Sequence, residues 1–162
     1  MSDGQILTAF QDGAYVLRLV GDVRVTLCAT FEDFLEKMFD DAKFKSVMID
    51  LCGAEGIDST SLGLLAKLAI QSQQRFNFKP VIFTSNESIT RIIESMGFDA
   101  VFDIRPYALD CEKELETLPQ VAGDEDELCV KVIEAHRVLM GLNAENKVKF
   151  KGLLEVLESQ CP

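Results

Sequence analysis

Residues 46–51, SVMIDL, run almost without polar–apolar alternation. A strand with one face in water alternates with period two. A run that stays apolar belongs to a strand covered on both faces, as in a sheet with helices packed on it. Residues 80–84, PVIFT, repeat the pattern. Between these runs, residues 59–76 read as a helix. After them, residues 85–97 place Ile89, Ile92, Ile93 and Met96 on one helical face, with Gly97 as a stop. Residues 100–104, AVFDI, give a last short strand. Upstream, residues 5–10 (QILTAF) and 14–20 (AYVLRLV) are strand-like and flank the turn signal QDG. Phe31, Phe34, Leu35, Met38, Phe39 and Ala42 then form one helical stripe, with Thr30 and Asp33 spaced as a capping pair. The expected fold is α/β: a mixed central sheet of about five strands with helices packed on it, and a helical extension at the C-terminus. Two units are expected, residues 1–106 and 107–162.

The chain has 162 residues, is 48% hydrophobic, and carries a formal net charge of -11. Ten basic residues face fifteen acidic ones in residues 1–106, and six face twelve in 107–162, so both parts are acidic. A field of that sign repels phosphate backbones and anionic headgroups, which argues against nucleic acid and membrane surfaces as partners. The first ten residues, MSDGQILTAF, lack the basic and apolar regions of a signal peptide. No apolar run approaches the ~20 residues of a membrane span. These features lead us to expect a cytoplasmic protein. Its five cysteines (Cys28, Cys52, Cys111, Cys129 and Cys161) contain no C-x-x-C pair, and the chain has one histidine, His136. We therefore expect reduced thiols, no metal and no cofactor, with Cys28 and Cys52 as small core residues. Asn86 to Ser88 match a glycosylation pattern but read as a polar turn.

The chemistry-bearing stretch is residues 56–65, GIDSTSLGLL. Asp58 and three successive hydroxyls, Ser59, Thr60 and Ser61, stand where a buried strand gives way to a helix. The first N–H groups of a helix lack internal partners, and the dipole leaves roughly +0.5 charge there. One reading is simply an N-cap by Asp58 or Ser59. The other is an exposed hydroxyl that accepts a phosphate, an anion that this end of a helix tolerates. A third, with Ser59 as a nucleophile, needs a base, and the single histidine lies far along the chain. The elbow pattern G-x-S-x-G is also absent around Ser59. No catalytic residue is therefore expected.

Residues 46–68 together with 80–104, and the earlier LRLVGDV, resemble the STAS domain, the sulfate-transporter and anti-sigma-factor-antagonist family. The signature Asp-Ser-Ser/Thr-Gly-Leu-Gly stands here as DSTSLG, Asp58 to Gly63, and the resemblance spans roughly residues 5–106. Ser61 replaces the family's glycine, which alters the first helical turn and adds a third hydroxyl. The resemblance implies an anti-sigma factor antagonist in a bacterial partner-switching pathway that regulates transcription. Such a protein binds an anti-sigma factor when unphosphorylated, is released when a serine kinase modifies it, and is restored by a serine phosphatase. By position the phosphoacceptor is Ser59, with Thr60 as the alternative and Ser61 as a minor candidate. Asp22, Asp58, Ser59, Thr60, Ser61 and Leu62 would form the partner-binding surface. The alternative is a non-switching STAS scaffold or a small-ligand-binding regulatory domain.

Beyond residue 106, residues 107–118 read as helix and the acidic stretch 119–127 as a solvated link. Two helices follow, about 127–141 and 144–159, with "LN" at residues 142–143 as the cap between them. Cys129, Val132, Ile133, His136 and Met140 share a face of the first. Val148, Phe150, Leu153, Leu154 and Leu157 supply the second. A helical hairpin of this kind packs on the sheet domain or on itself, or forms a homodimer or partner surface. His136 is expected to be a packed or half-exposed residue.

Overall fold

The computed structural model describes residues 3–109 and 114–161. Strands β1 (Gln5–Gln11) and β2 (Ala14–Val23) form an antiparallel hairpin. Its turn residues, Asp12 and Gly13, both have positive φ, the geometry that matches the twist of paired strands. Glycine is required at the second position, because a Cβ on Gly13 would run into the Lys43 carbonyl. Helix α1 (Cys28–Asp40) leads to β3 (Ser46–Asp50) and a short β4 (Ala54–Ile57). Helix α2 (Ser59–Phe76), β5 (Val81–Phe83), α3 (Glu87–Ser95) and β6 (Asp103–Arg105) follow. The strand order is β6-β5-β3-β2-β1, closed at the far edge by β7 (Glu116–Thr117). The pairs β2–β3, β3–β5 and β5–β6 are parallel, and β1 is antiparallel to both of its neighbours. The sheet is therefore mixed, as the alternation of elements predicts.

Several boundaries differ from expectation, each for a tertiary reason. Among the described residues the sheet has seven strands rather than the expected five or so. Residues 54–57, AEGI, carry no strand pattern of their own and form β4 because they pair with β2 alongside residues 21–23. Thr117 and Glu116 lie opposite Leu7 and Thr8, so part of the stretch expected as helix (107–118) is an edge strand; residues 110–113 of that stretch lie outside the described residues. Thr30 does not cap α1. The helix begins two residues earlier, after a 3-10 turn at Val25–Leu27, and the Thr30 hydroxyl accepts from Val121 N at 2.9 Å. α1 also stops at Asp40, leaving Ala42 outside it and exposed. In the link, Asp41 accepts the Tyr15 hydroxyl at 2.6 Å.

Leu17, Leu19, Ile49, Leu51 and Ile82 from the sheet meet Phe31, Leu35 and Met38 of α1 and Leu62, Leu65 and Leu68 of α2 in one core. At its edge Asp50, nearly inaccessible, accepts from Arg18 Nε at 2.7 Å and from Cys52 N at 2.9 Å. That pairing offsets the cost of burying its charge.

The C-terminal part folds as a hairpin of α4 (Glu125–Met140) and α5 (Ala144–Gln160), joined by a turn in which Asn143 caps α5. Leu139 and Phe150 enter the main core. The stripe expected on α5 is only partly realised. Asn146 and Phe150 point inward, whereas Val148 and Leu153 are exposed, because they fall off the i, i+4, i+8, i+11 line of 146, 150, 154 and 157. Cys129 and Cys161 form a disulfide, with Cα atoms 5.9 Å apart, across the open end of the hairpin. This corrects the expectation that all the cysteines are reduced. The fold, rather than a local Cys spacing, brings the pair together. Cys28 is buried and free, Cys52 is free and half-buried, and Cys111 lies outside the described residues.

Leu65 is 1% exposed, so Leu65→Ala should cost about 2–5 kcal/mol in urea unfolding. A near-silent substitution would contradict the placement of α2 on the sheet. Burial and the hydrogen bond to Asp41 push the Tyr15 phenol up to about 12 from 10.0. Its contribution is therefore complete below the unfolded value and is lost as pH rises through the folded one. Wild type should lose stability across this alkaline window more steeply than Tyr15→Phe in parallel melts.

Candidate functional site

The site forms where β4 hands over to α2. The Asp58 backbone stays extended, and its N–H donates to the Val23 carbonyl at 3.0 Å. Its carboxylate has two tasks. Oδ1 accepts from Ser61 N at 2.8 Å and caps α2; Oδ2 accepts from Val25 N at 2.8 Å and holds the connection from β2 to α1. Asp58 is thus the N-cap, and Ser59 is the first helical residue. In β4, Gly56 lies opposite Asp22 of β2, so Asp22 sits at the same end of the sheet, ion-paired with Arg24. Thr60 and Ser61 are buried, and Leu62 is enclosed in the core. In this arrangement those three present little surface to a partner, which leaves Ser59, half-buried, as the most open hydroxyl of the three.

Sequence reasoning did not foresee what stands over Ser59. Helix α4 lies along α2 and brings His136 Nε2 to 2.8 Å from Ser59 Oγ. The other ring nitrogen, Nδ1, is 2.7 Å from the Val132 carbonyl. A carbonyl only accepts, so Nδ1 carries a proton. In the neutral ring Nε2 is then the acceptor, and the Ser59 hydroxyl donates to it. The imidazole is 2% exposed, with the Phe150 ring edge-on at 5.3 Å. His136 is packed, as expected, but packed onto the signature serine.

Two further contacts seat α4. Gly63 faces the backbone of α4 so closely that a Cβ would collide with the Ala135 carbonyl. One turn on, Lys67 Nζ lies 3.1 Å from Glu32 Oε1 of α1 and 2.7 Å from Glu134 Oε1 of α4, and Lys131 reaches Glu32 at 3.7 Å. Burial works against the Lys67 charge, but Glu134 and Glu32 outweigh it and hold its pKa above the ordinary lysine value. No group of three or more His, Cys, Asp or Glu gathers as a metal site would need among the described residues. No described helix is long and apolar enough to cross a membrane.

A mixed sheet carrying an acid-capped, hydroxyl-headed helix at this position is the arrangement of a STAS domain. The STAS domain pattern matches residues 5–110, and the chain belongs to that family. The fold is also similar to that in the crystal structure of an anti-sigma factor antagonist from Mycobacterium paratuberculosis. The two share 20% identity with a TM-score of 0.56, over 64% of this chain and 86% of that one.

Because Asp58 satisfies two separate N–H groups, Asp58→Ala should cost more than a simple cap, about 2–4 kcal/mol. Asp58→Asn, which keeps one acceptor oxygen, should cost roughly half of that. Denaturant melts of the two variants would test the double role, and equal losses would refute it.

Proposed function

We propose that this chain is an anti-sigma factor antagonist that works by partner switching. Unphosphorylated, it binds an anti-sigma factor or similar switch protein through the surface around Asp22, Asp58 and Ser59. A serine kinase places a phosphate on Ser59 and releases the partner; a serine phosphatase restores binding. The observation that carries this reading is the position of Ser59. It is the first residue of α2, directly after the capping Asp58, in a chain of the STAS family. A phosphate at the head of an 18-residue helix meets the favourable end of the dipole, so the fold tolerates it. On an interface the same group brings about -2 of charge and a heavy desolvation demand. The chain then acts through binding and needs no catalysis of its own, with residues 1–106 as the switching unit and 107–162 as an appended one.

A second reading takes the 2.8 Å contact as a nucleophile and its base, with Ser59 activated by His136. Against it, the imidazole is enclosed between α2 and Phe150, so the contact belongs to a helix–helix seam rather than to an open cleft. Stoichiometric labelling of Ser59 by a fluorophosphonate would favour this second reading.

Ser59→Ala should bind the anti-sigma-type partner constitutively, and Ser59→Asp at least about tenfold more weakly. Both should stay folded: Ser59→Ala costs about 1–3 kcal/mol by leaving the buried His136 Nε2 without its donor, and an acid suits the first turn of a helix. Calorimetric titration with parallel thermal melts tests this. Equal affinities would favour the non-switching scaffold or small-ligand domain instead.

A further inference from the structure

The hydroxyl that the proposed switch uses is already engaged by the chain's own C-terminal hairpin. We infer that the α4–α5 hairpin is a built-in cover for the Ser59 face. It holds Ser59 through His136, competes with the partner and the kinase for the same surface of α2, and is kept off once Ser59 carries phosphate. This deepens the reading above and rests on Ser59 being the switched residue.

Four observations carry the inference. The first is that the hydrogen a kinase must replace is the one engaged. With Nδ1 committed to Val132, the Ser59 hydroxyl points at Nε2 of the neutral ring. Phosphoryl transfer forms a bond from Oγ to the γ-phosphorus of ATP and breaks that phosphorus's bond to the β–γ bridging oxygen. ADP leaves, and the hydroxyl proton passes to the kinase's base. The kinase's base must reach the proton that Nε2 now accepts, so the imidazole has to give way to it. The second is that α4 covers the signature helix itself. Gly63 admits the Ala135 backbone at a distance no side chain would allow, and the ion cluster of Lys67, Glu32, Glu134 and Lys131 bridges α1, α2 and α4.

The third observation is that the hairpin is joined to the core in a way that separates a fixed part from a movable one. β7 is paired to β1, and Val121 N is tied to Thr30 of α1. Residues 122–124 beyond that tie are exposed, and α4 starts directly after them. A swing of the hairpin about this short link unpairs no strand, although it withdraws Leu139 and Phe150 from the core. The fourth is that the hairpin is braced as one body. The Cys129–Cys161 disulfide closes its open end, Arg137 pairs with Glu158 at 2.6 Å, and Asn146 Nδ2 donates to Leu139 O at 2.9 Å. On opening, the polar contacts given up to the core are Ser59–His136, the Lys67–Glu134 and Lys131–Glu32 pairs, and the bonds from Asn146 Nδ2 and Asn143 Nδ2 to Met96 O. A partner that needs the open form binds with its intrinsic affinity reduced by the open fraction, so the hairpin sets the threshold of the switch.

The test uses full-length protein and needs no partner. Hydrogen–deuterium exchange is followed in α4 for wild type and for the chain carrying phosphoserine at position 59, made by codon suppression. The phosphoserine chain should lose at least about tenfold of its α4 protection while β3 and β5 keep theirs. Unchanged α4 protection overturns the inference. In a second arm, Ser59→Cys is alkylated with iodoacetamide under non-reducing conditions, alone and combined with Glu134→Lys, which sets a second cation against Lys67. Peptide-mapped modification at position 59 should be at least about tenfold faster in the combined variant, and adding Lys67→Glu should slow it again. Equal rates, with α4 exchange showing that the hairpin has opened, overturn it as well. These arms read the cover alone. If they fail while Ser59→Ala and Ser59→Asp still separate in the partner titration, the cover falls and the switch stands. If the cover is seen and the titration shows equal affinities, the switch falls instead.

Discussion

The Asp58 carboxylate is the contact on which the geometry of this end of the molecule depends. One oxygen closes the first turn of α2 and the other holds the amide of Val25 where β2 turns toward α1. A single side chain thus fixes the direction in which α2 leaves the sheet and the position of the helix beside it. Ser59, the next residue, inherits its placement from that constraint. A capping residue shared between two elements makes the head of the helix rigid by tertiary means. That rigidity suits the surface that the proposed switch would present to a partner, a kinase and a phosphatase in turn.

The hairpin adds a second layer of constraint. Its polar and close-packed contacts are an imidazole, a four-charge cluster, an asparagine and the missing side chain of Gly63, and Leu128, Val138, Met140 and Leu142 pack apolar surface beside them. Leu139 and Phe150 supply the apolar anchor at its turn end. Polar contacts of this kind are satisfied by water when broken, whereas a wholly apolar seam would expose its surface on opening. Opening the seam therefore costs chiefly the burial of its apolar side chains, Leu139 and Phe150 first among them.

Much of the core was legible in the sequence because the signals were local. The buried runs at 46–51 and 80–84 and the stripe of α3 appear where periodicity places them. The features that escaped are those created by distant partners. Ala54–Ile57 carries a glutamate and a glycine and reads as loop; it is a strand only because β2 lies beside it. Glu116–Thr117 is too short for any pattern and exists through its pairing with β1. The early start of α1 depends on Asp58, thirty residues downstream of its first turn. At the site, the cap and the position of Ser59 follow from the local motif, but the approach of His136 spans 77 residues of chain and has no local signature. The disulfide escaped for the same reason, since its cysteines lie at the two ends of the hairpin.

His136 is the only histidine of the chain. Its imidazole is therefore a native spectroscopic label, placed on Ser59 at the head of α2. In a proton NMR spectrum the ring hydrogens of a sole histidine need no residue assignment, and a ring edge-on to Phe150 sits in that aromatic's ring-current field. Two resonances would thus report whether the imidazole rests on Ser59 or faces water, in unmodified protein and in the phosphorylated form we propose. The residue that closes the seam is also the one that makes the seam observable.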